Sequence, residues 1–255
     1  MHVQITQSID VALLVFWAFV LFFICLVFYL RREDRREGYP LEDTVTGRID
    51  SVGGALHTAS TKTFYLPFGR GSVTAPTKGR EPVDIAARRT DRFPGAPLVP
   101  TGNPLADGIG PAAWADRAKH PDLDWEGKPR IVPISAAGDF WIANRDRDPR
   151  GMSVFGADGK IAGRVTDLWI DKADRLIRYL QLDVEGVPGS VLAPMTMAKV
   201  KRDRVIIDAL NAHQFAGAPG AGADGTITLY EEDRVQAYFG GGYLYANDAR
   251  QEPFL

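Results

Sequence analysis

The sequence is poor in the residues that carry metal and covalent chemistry. Its single cysteine, Cys25, leaves no intrachain disulfide to form. The four histidines, His2, His57, His120 and His213, are scattered without metal-ligand spacing. With one thiol the chain also cannot assemble a cysteine-based zinc or iron–sulfur site. No Walker loop, GxSxG or HExxH occurs. Gly220-x-Gly222-x-x-Gly225 has the letters of a dinucleotide fingerprint, but no strand leads into it. Thr226-Ile227-Thr228-Leu229 follows where a helix is required, so it reads as a loop. An excess of one charge is missing too: 30 Lys+Arg face 32 Asp+Glu, a net charge of −2. That excludes the basic bias of a dedicated nucleic-acid binder.

What is present is one long apolar run. Val11 to Leu30 is drawn only from hydrophobic residues and holds Phe16, Trp17, Phe19, Phe22, Phe23, Phe28 and Tyr29. At ~1.5 Å per residue, 20 residues give a helix of about 30 Å, the thickness of a hydrocarbon core. A buried soluble helix of this length would carry a polar stripe, and there is none. A cleaved signal peptide would need basic residues before the run and small residues at a cleavage site. Here Asp10 precedes it and Leu30-Arg31-Arg32 ends it. Ser8, Asp10 or Thr6 is placed to cap the helix start. The span contains no ionisable relay and no GxxxG, so it reads as an anchor, with aromatics suited to packing against other membrane helices. Arg31, Arg32, Arg35 and Arg36 follow at once. By the positive-inside rule they place the N-terminus in the periplasm and the large C-terminal part in the cytoplasm. Arg31, Arg32 and Arg35, with Tyr39, are candidate contacts to lipid head groups. The charged stretch through Glu37 is expected to continue the helix, with opposite charges three or four apart.

The chain therefore reads as residues 1–10 outside, 11–37 the span and its basic extension, 38–130 an extended proline-rich segment, 131–246 a compact domain and 247–255 a tail. Nine of the 17 prolines fall between Gly38 and Ala112, which disfavours long helices and central strands there. Short strands remain at 63–66 and 71–74. Phe64, Tyr65, Phe68, Phe93, Leu98 and Trp114 interrupt the same stretch, so it reads as chain that lies on another protein's surface. From Ile131 the pattern changes. Strands are expected at 164–170, 175–184, 190–194 and 204–208, with turns at Asp171–Asp174 and Glu185–Gly189. Such a series predicts a small, partly closed β-barrel. Thr228-x-x-Glu231 spells a capping box and opens a short helix, about 231–238, expected to stop at Gly240-Gly241-Gly242.

Five stretches together carry a family resemblance. They are Arg35-Arg36-Glu37-Gly38-Tyr39-Pro40-Leu41-Glu42; Lys62-Thr63-Phe64-Tyr65-Leu66-Pro67 with Gly69-Arg70-Gly71; Gly108-Ile109-Gly110-Pro111-Ala112-Ala113-Trp114; Gly163-Arg164-Val165-Thr166-Asp167-Leu168-Trp169-Ile170-Asp171; and Leu229-Tyr230-Glu231-Glu232-Asp233. In this order, from the span to about Ala246, the chain resembles the H subunit of the purple bacterial photosynthetic reaction centre. That resemblance implies a single transmembrane helix plus a mainly β cytoplasmic domain of the PRC-barrel kind. The subunit would lie in the bacterial inner (intracytoplasmic) membrane. It also implies a non-enzymatic accessory subunit that binds no pigment itself. Its partners would be the L and M subunits, which hold bacteriochlorophyll, bacteriopheophytin, quinones and a non-haem iron. A light-harvesting antenna, a cytochrome subunit and membrane lipids are further candidate partners.

In that family the subunit shields the quinones and passes protons toward the secondary quinone. Carboxylates suit this task when neighbours hold their proton affinity near neutrality. The resemblance places the family's key acid on Asp174, an Asp where familiar relatives have Glu. It places a proton-uptake loop on 122–128, with Asp124 as a surface acid. Glu126 and Lys128 stand where some relatives carry two histidines. Glu126 keeps a relay function; Lys128 does not suit one, which argues against a histidine-built metal site there. Asp171 and Glu232 match further proton-transfer positions, and Arg178 a position that tunes the local potential. A single-span PRC-barrel adaptor of another membrane complex is the alternative reading. A membrane-tethered enzyme has no nucleophile–base or metal set to support it.

Overall fold

The computed structural model describes residues 10–36, 41–43, 46, 49–50, 59–76, 84–220 and 225–251. The chain divides into two compact units, residues 1–83 with 91–97 and residues 84–90 with 98–255.

In the first unit, helix α1 (Val11–Glu33) contains the apolar run, with no residue buried inside the protein. Asp10 is the N-cap: its side chain accepts from the amides of Ala12 and Leu13 at 2.9 and 3.1 Å, supplying partners to two donors a helix start leaves open. Ser8 and Thr6, the other expected caps, and Tyr39 lie outside the described residues. The expected continuation past the apolar run is helical through Arg36, and Glu37 lies outside the described residues. Only its last turn differs: α geometry ends at Glu33 and the chain tightens into a 3-10 turn, Asp34–Arg36. Residues three apart eclipse in such a turn, which suits the 2.7 Å ion pair of Glu33 with Arg36. Strands β1 (Leu41–Glu42) and β2 (Ile49–Asp50) pair antiparallel. Strands β3 (Lys62–Tyr65) and β4 (Ser72–Ala75) form a hairpin, one residue out of step with the expected spans. Its turn uses positive φ at Phe68, Gly69 and Gly71.

The second unit opens with strands β5 (Ala87–Arg89) and β6 (Leu98–Pro100), an antiparallel pair, and the one-turn helix α2 (Pro104–Asp107). A 3-10 turn at Gly110–Ala112 follows. Strands β7 (Ile131–Pro133), β8 (Ser153–Phe155), β9 (Ile161–Asp171), β10 (Leu176–Asp183), β11 (Val191–Pro194), β12 (Lys199–Val200) and β13 (Arg204–Ile206) then make one sheet among the described residues. Its order is β11-β10-β9-β8-β13-β12. β7 also pairs with β9, beside the stretch of β9 that β8 leaves free. Register shifts between Ile177 and Tyr179 and between Gln181 and Leu182 bend the β9–β10 ladder, so the sheet curls into a half-barrel. β13 runs parallel to β8 and joins the late part of the chain to the early part. Val154, Val165, Leu168, Tyr179, Leu180, Leu182, Leu192 and Val205 fill the interior with at most 1% exposure. Leu105 and Ala112, from the proline-rich stretch, join the same core.

Helix α3 (Leu229–Tyr245) closes the domain and begins with the expected capping box. The Thr228 hydroxyl accepts from the Glu231 amide at 3.1 Å, and Glu231 accepts from the Thr228 amide at 2.8 Å. The expected stop at Gly240-Gly241-Gly242 is wrong: the helix runs through all three to Tyr245. The glycines serve close packing instead. A Cβ at Gly241 would fall 2.5 Å from the Ala112 Cβ, and one at Gly242 would fall 2.3 Å from the Ala209 carbonyl. Packing against these neighbours outweighs the helix propensity lost at each glycine, about 1 kcal/mol.

Candidate functional site

The turn between β9 and β10 organises the site. Asp171, the last residue of β9, has 1% exposure, and its Oδ1 accepts from the amides of Ala173 and Asp174, both at 3.0 Å. An aspartate bonding amides two and three residues ahead builds its own turn, and Arg175 completes it with a φ of 56°. The turn presents Asp174 at the surface.

Arg130, immediately before β7, enters from the other side. Its Nε donates to Asp171 at 2.8 Å, one Nη to Asp174 at 2.5 Å and the other Nη to Asp122 at 3.4 Å. A planar guanidinium with five donors is the side chain able to bridge several carboxylates in this way. Burial works against ionisation of Asp171. The Arg130 bond and the two turn amides outweigh it and hold the carboxyl below the ordinary aspartate range.

The 122–128 loop joins the same turn. Asp124 accepts from the amides of Lys128 at 2.9 Å and Glu126 at 3.0 Å, and its second oxygen receives Lys172 Nζ at 3.0 Å. The Lys128 amide first, and then Lys172 against burial, keep Asp124 ionised below its usual range. Glu126 and Lys128 pair with each other at 2.7 Å in the open, and this bond raises the lysine's proton affinity further. Lys128 is therefore held as a cation.

Glu232, in the first turn of α3, faces inward. Tyr179 donates its hydroxyl to Glu232 Oε2 at 3.0 Å, and Arg178 Nη2 stands 3.8 Å from the same oxygen. Burial raises the Glu232 carboxyl despite these two partners, and the charges of Asp122 and Asp171 push it in the same direction. Burial likewise pushes the Tyr179 phenol up, so it remains a donor. The Arg178 Nε is buried without a hydrogen-bond partner among the described residues. Asp122, Arg130, Asp171, Arg178, Glu232 and Gln236 line one open cleft of about 300 Å³.

Asp171 and Asp174 are thus joined directly through Arg130, with Asp124 linked to their turn through Lys172. Glu232 and Arg178 share the cleft with Asp171, whereas Glu126 remains at the exposed tip of its loop. Arg31, Arg32 and Arg35 lie at the end of α1 and in the turn after it. Arg130, Asp122, Lys172 and Tyr179 are site residues that sequence reasoning missed. A hairpin reading of residues 121–131 would have found the first two: Arg130 donates its amide to the Asp122 carbonyl at 2.8 Å, and Asp124 to that of Lys128 at 2.8 Å. Among the described residues no group of three or more His, Cys, Asp or Glu is placed to hold a metal ion.

This fold defines a class first. Residues 142–214, the sheet from before β8 to beyond β13, match the PRC-barrel domain. Residues 3–136 match the model of the photosynthetic reaction centre H-chain N-terminal region, and the chain belongs to that family. It is a structural accessory subunit that associates with other reaction centre subunits, and its apolar N-terminal helix fits a membrane anchor.

Proposed function

We propose that the protein caps the cytoplasmic face of the L and M subunits and conducts protons to the secondary quinone held there. The N-terminus of α1 then faces the periplasm. The pigments, quinones and non-haem iron belong to L and M, and this chain binds none of them alone. The observation that carries the reading is the grouping of Asp122, Asp171 and Asp174 on the one guanidinium of Arg130 beside the half-buried Glu232. Three carboxylates share that one guanidinium, an excess of acid around it that attracts protons from the bulk. Glu232, raised by burial and by that negative field, is suited to take and release a proton nearer neutrality than an ordinary glutamate. Asp174 is half exposed, which suits it to hand a proton outward to a partner's acid, with a water spanning the methylene it lacks relative to Glu.

The test is flash spectroscopy on the complex purified with its pigmented partners. Asp174→Asn is expected to slow the proton-coupled second electron transfer to the secondary quinone and leave the first little changed. Unchanged second-transfer rates across the pH range would remove Asp174 from the path. A native complex without bacteriochlorophyll and two multi-span partners would overturn the assignment to L and M.

A further inference from the structure

We propose that the β3–β4 hairpin is a second membrane-contact element, lying in the lipid headgroup layer at the arginine-bearing end of α1 and binding anionic phospholipid. The inference rests on the reading of α1 as a span.

The hairpin is rooted at the end of that helix. Arg36 donates one Nη to the carbonyls of Ser60 and Ala75, at the two feet of the hairpin, and Lys62 lies 3.5 Å from Glu33. From Leu30, the last residue of the apolar run, to Arg36 is roughly 10 Å of helix and tight turn. The headgroup region on each side of a hydrocarbon core is about 5–8 Å deep. Glu33, about 5 Å past Leu30, falls within that layer and Arg36 at its outer margin, so the feet of the hairpin are tied to the outer side of the head groups.

Its composition suits that layer. Phe64 stands opposite Val73 and Lys62 opposite Ala75, so these four share one face, while Thr63, Thr74, Tyr65 and Ser72 share the other. Phe64, Val73 and Phe68 are 42–55% exposed. A two-stranded hairpin with a bare apolar face is marginal in water and calls for a covering surface. Two cations accompany the aromatics: Lys62 and Arg70 lie 5.8 Å from the rings of Phe64 and Phe68. Rings with adjacent long basic side chains place apolar bodies in the acyl boundary and charge among phosphates. Arg31, Arg32 and Arg35, at the same helix end, add to a field that favours anionic lipid.

The full chain, with Cys25→Ser, is reconstituted into phosphatidylcholine vesicles with and without phosphatidylglycerol. Nitroxides are attached through Phe64→Cys, Thr63→Cys and, as a depth marker, Trp17→Cys. A lipid-borne nickel chelate is expected to relax the label at 64 more strongly than the label at 63. Phosphatidylglycerol is expected to increase that difference, and Lys62→Gln to abolish the increase. Should Phe64→Cys fail to fold, Val73→Cys samples the same face. Equal access of a water-borne chelate to 63 and 64, with the label at 17 inside the bilayer, would overturn the proposal and leave the span intact. A water-exposed label at 17 would overturn the span, and the proposal with it. Protection at 64 that arises only when partner subunits are added would make this a protein-docking face and overturn the lipid assignment.

Discussion

Arg130 and Asp171 are 41 residues apart in sequence and meet at 2.8 Å, the guanidinium part-exposed and the carboxylate buried. Removing the cation strands a buried charge. For a fully buried pair this costs about 3–5 kcal/mol, and with Arg130 27% exposed about 2–3 kcal/mol is expected for Arg130→Met. The pH dependence has a definite sign. Asp171 titrates below its unfolded value, so its contribution is present above about pH 4 and is lost as pH falls through the folded value. In Arg130→Met, acid also neutralises the stranded carboxylate. The stability deficit, measured by urea unfolding in detergent, should be largest near neutrality and shrink toward pH 3–4, about the unfolded aspartate pKa.

Glu232 has the opposite sign. Its carboxyl is raised by burial, so the native state holds the proton more tightly than the unfolded chain. Stability falls as pH rises from about 4.3, the unfolded value, through the raised folded value. Glu232→Gln should remove that slope and be more stable than the parent above this window. Infrared spectra should show a protonated carboxyl band that persists above the ordinary glutamate range and is missing in Glu232→Gln. A parent spectrum without that band would show the carboxyl to be ionised like a surface glutamate.

The three glycines of α3 should respond differently to alanine. At Gly240 the added Cβ finds only ordinary contact, 3.7 Å from the Pro111 carbonyl, so Gly240→Ala should gain about 0.5–1 kcal/mol of helix stability. At Gly241 the backbone and side chain of Ala112 lie within 2.5–3.1 Å of the new atom, and about 1–2 kcal/mol should be lost on balance. Equal melting shifts for the two variants would count against close packing as the reason the helix continues through this run.

The 122–128 loop offers a gain-of-function test. The side chains of residues 126 and 128 already converge, at 2.7 Å, beside Asp124. The double substitution Glu126→His with Lys128→His should create a zinc site there. Zinc should then slow second electron transfer at about tenfold lower concentration than in the parent, equivalent to about 1.4 kcal/mol of added binding. Equal zinc sensitivity in both proteins would show that the loop does not lie on the uptake route.

The elements that could be read from sequence have a local signature. The apolar run, the alternation of β9 and β10 and the Thr228–Glu231 box each lie within one short window. What was missed depends on contacts across the chain. β8 and β12 are three and two residues long, too short to show a period. Gly240–Gly242 reads as a helix stop until Ala112 and Ala209, far away in sequence, prove to be the neighbours. The family resemblance pointed to Asp171, Asp174 and Glu232, but Arg130 and Asp122 were not singled out, because Arg130's place comes from acids 8, 41 and 44 residues away.

The parallel pairing of β13 with β8 has a consequence for biosynthesis. The ribosome releases α1, which ends at Glu33, well before the sheet can be completed, at residue 206. Membrane insertion can thus precede completion of the sheet domain, which would mature while already tethered to the bilayer. The unpaired edge of β8 is then exposed throughout that interval, a period in which nascent chains are prone to wrong pairing. Tethering confines this immature species to two dimensions at the membrane surface.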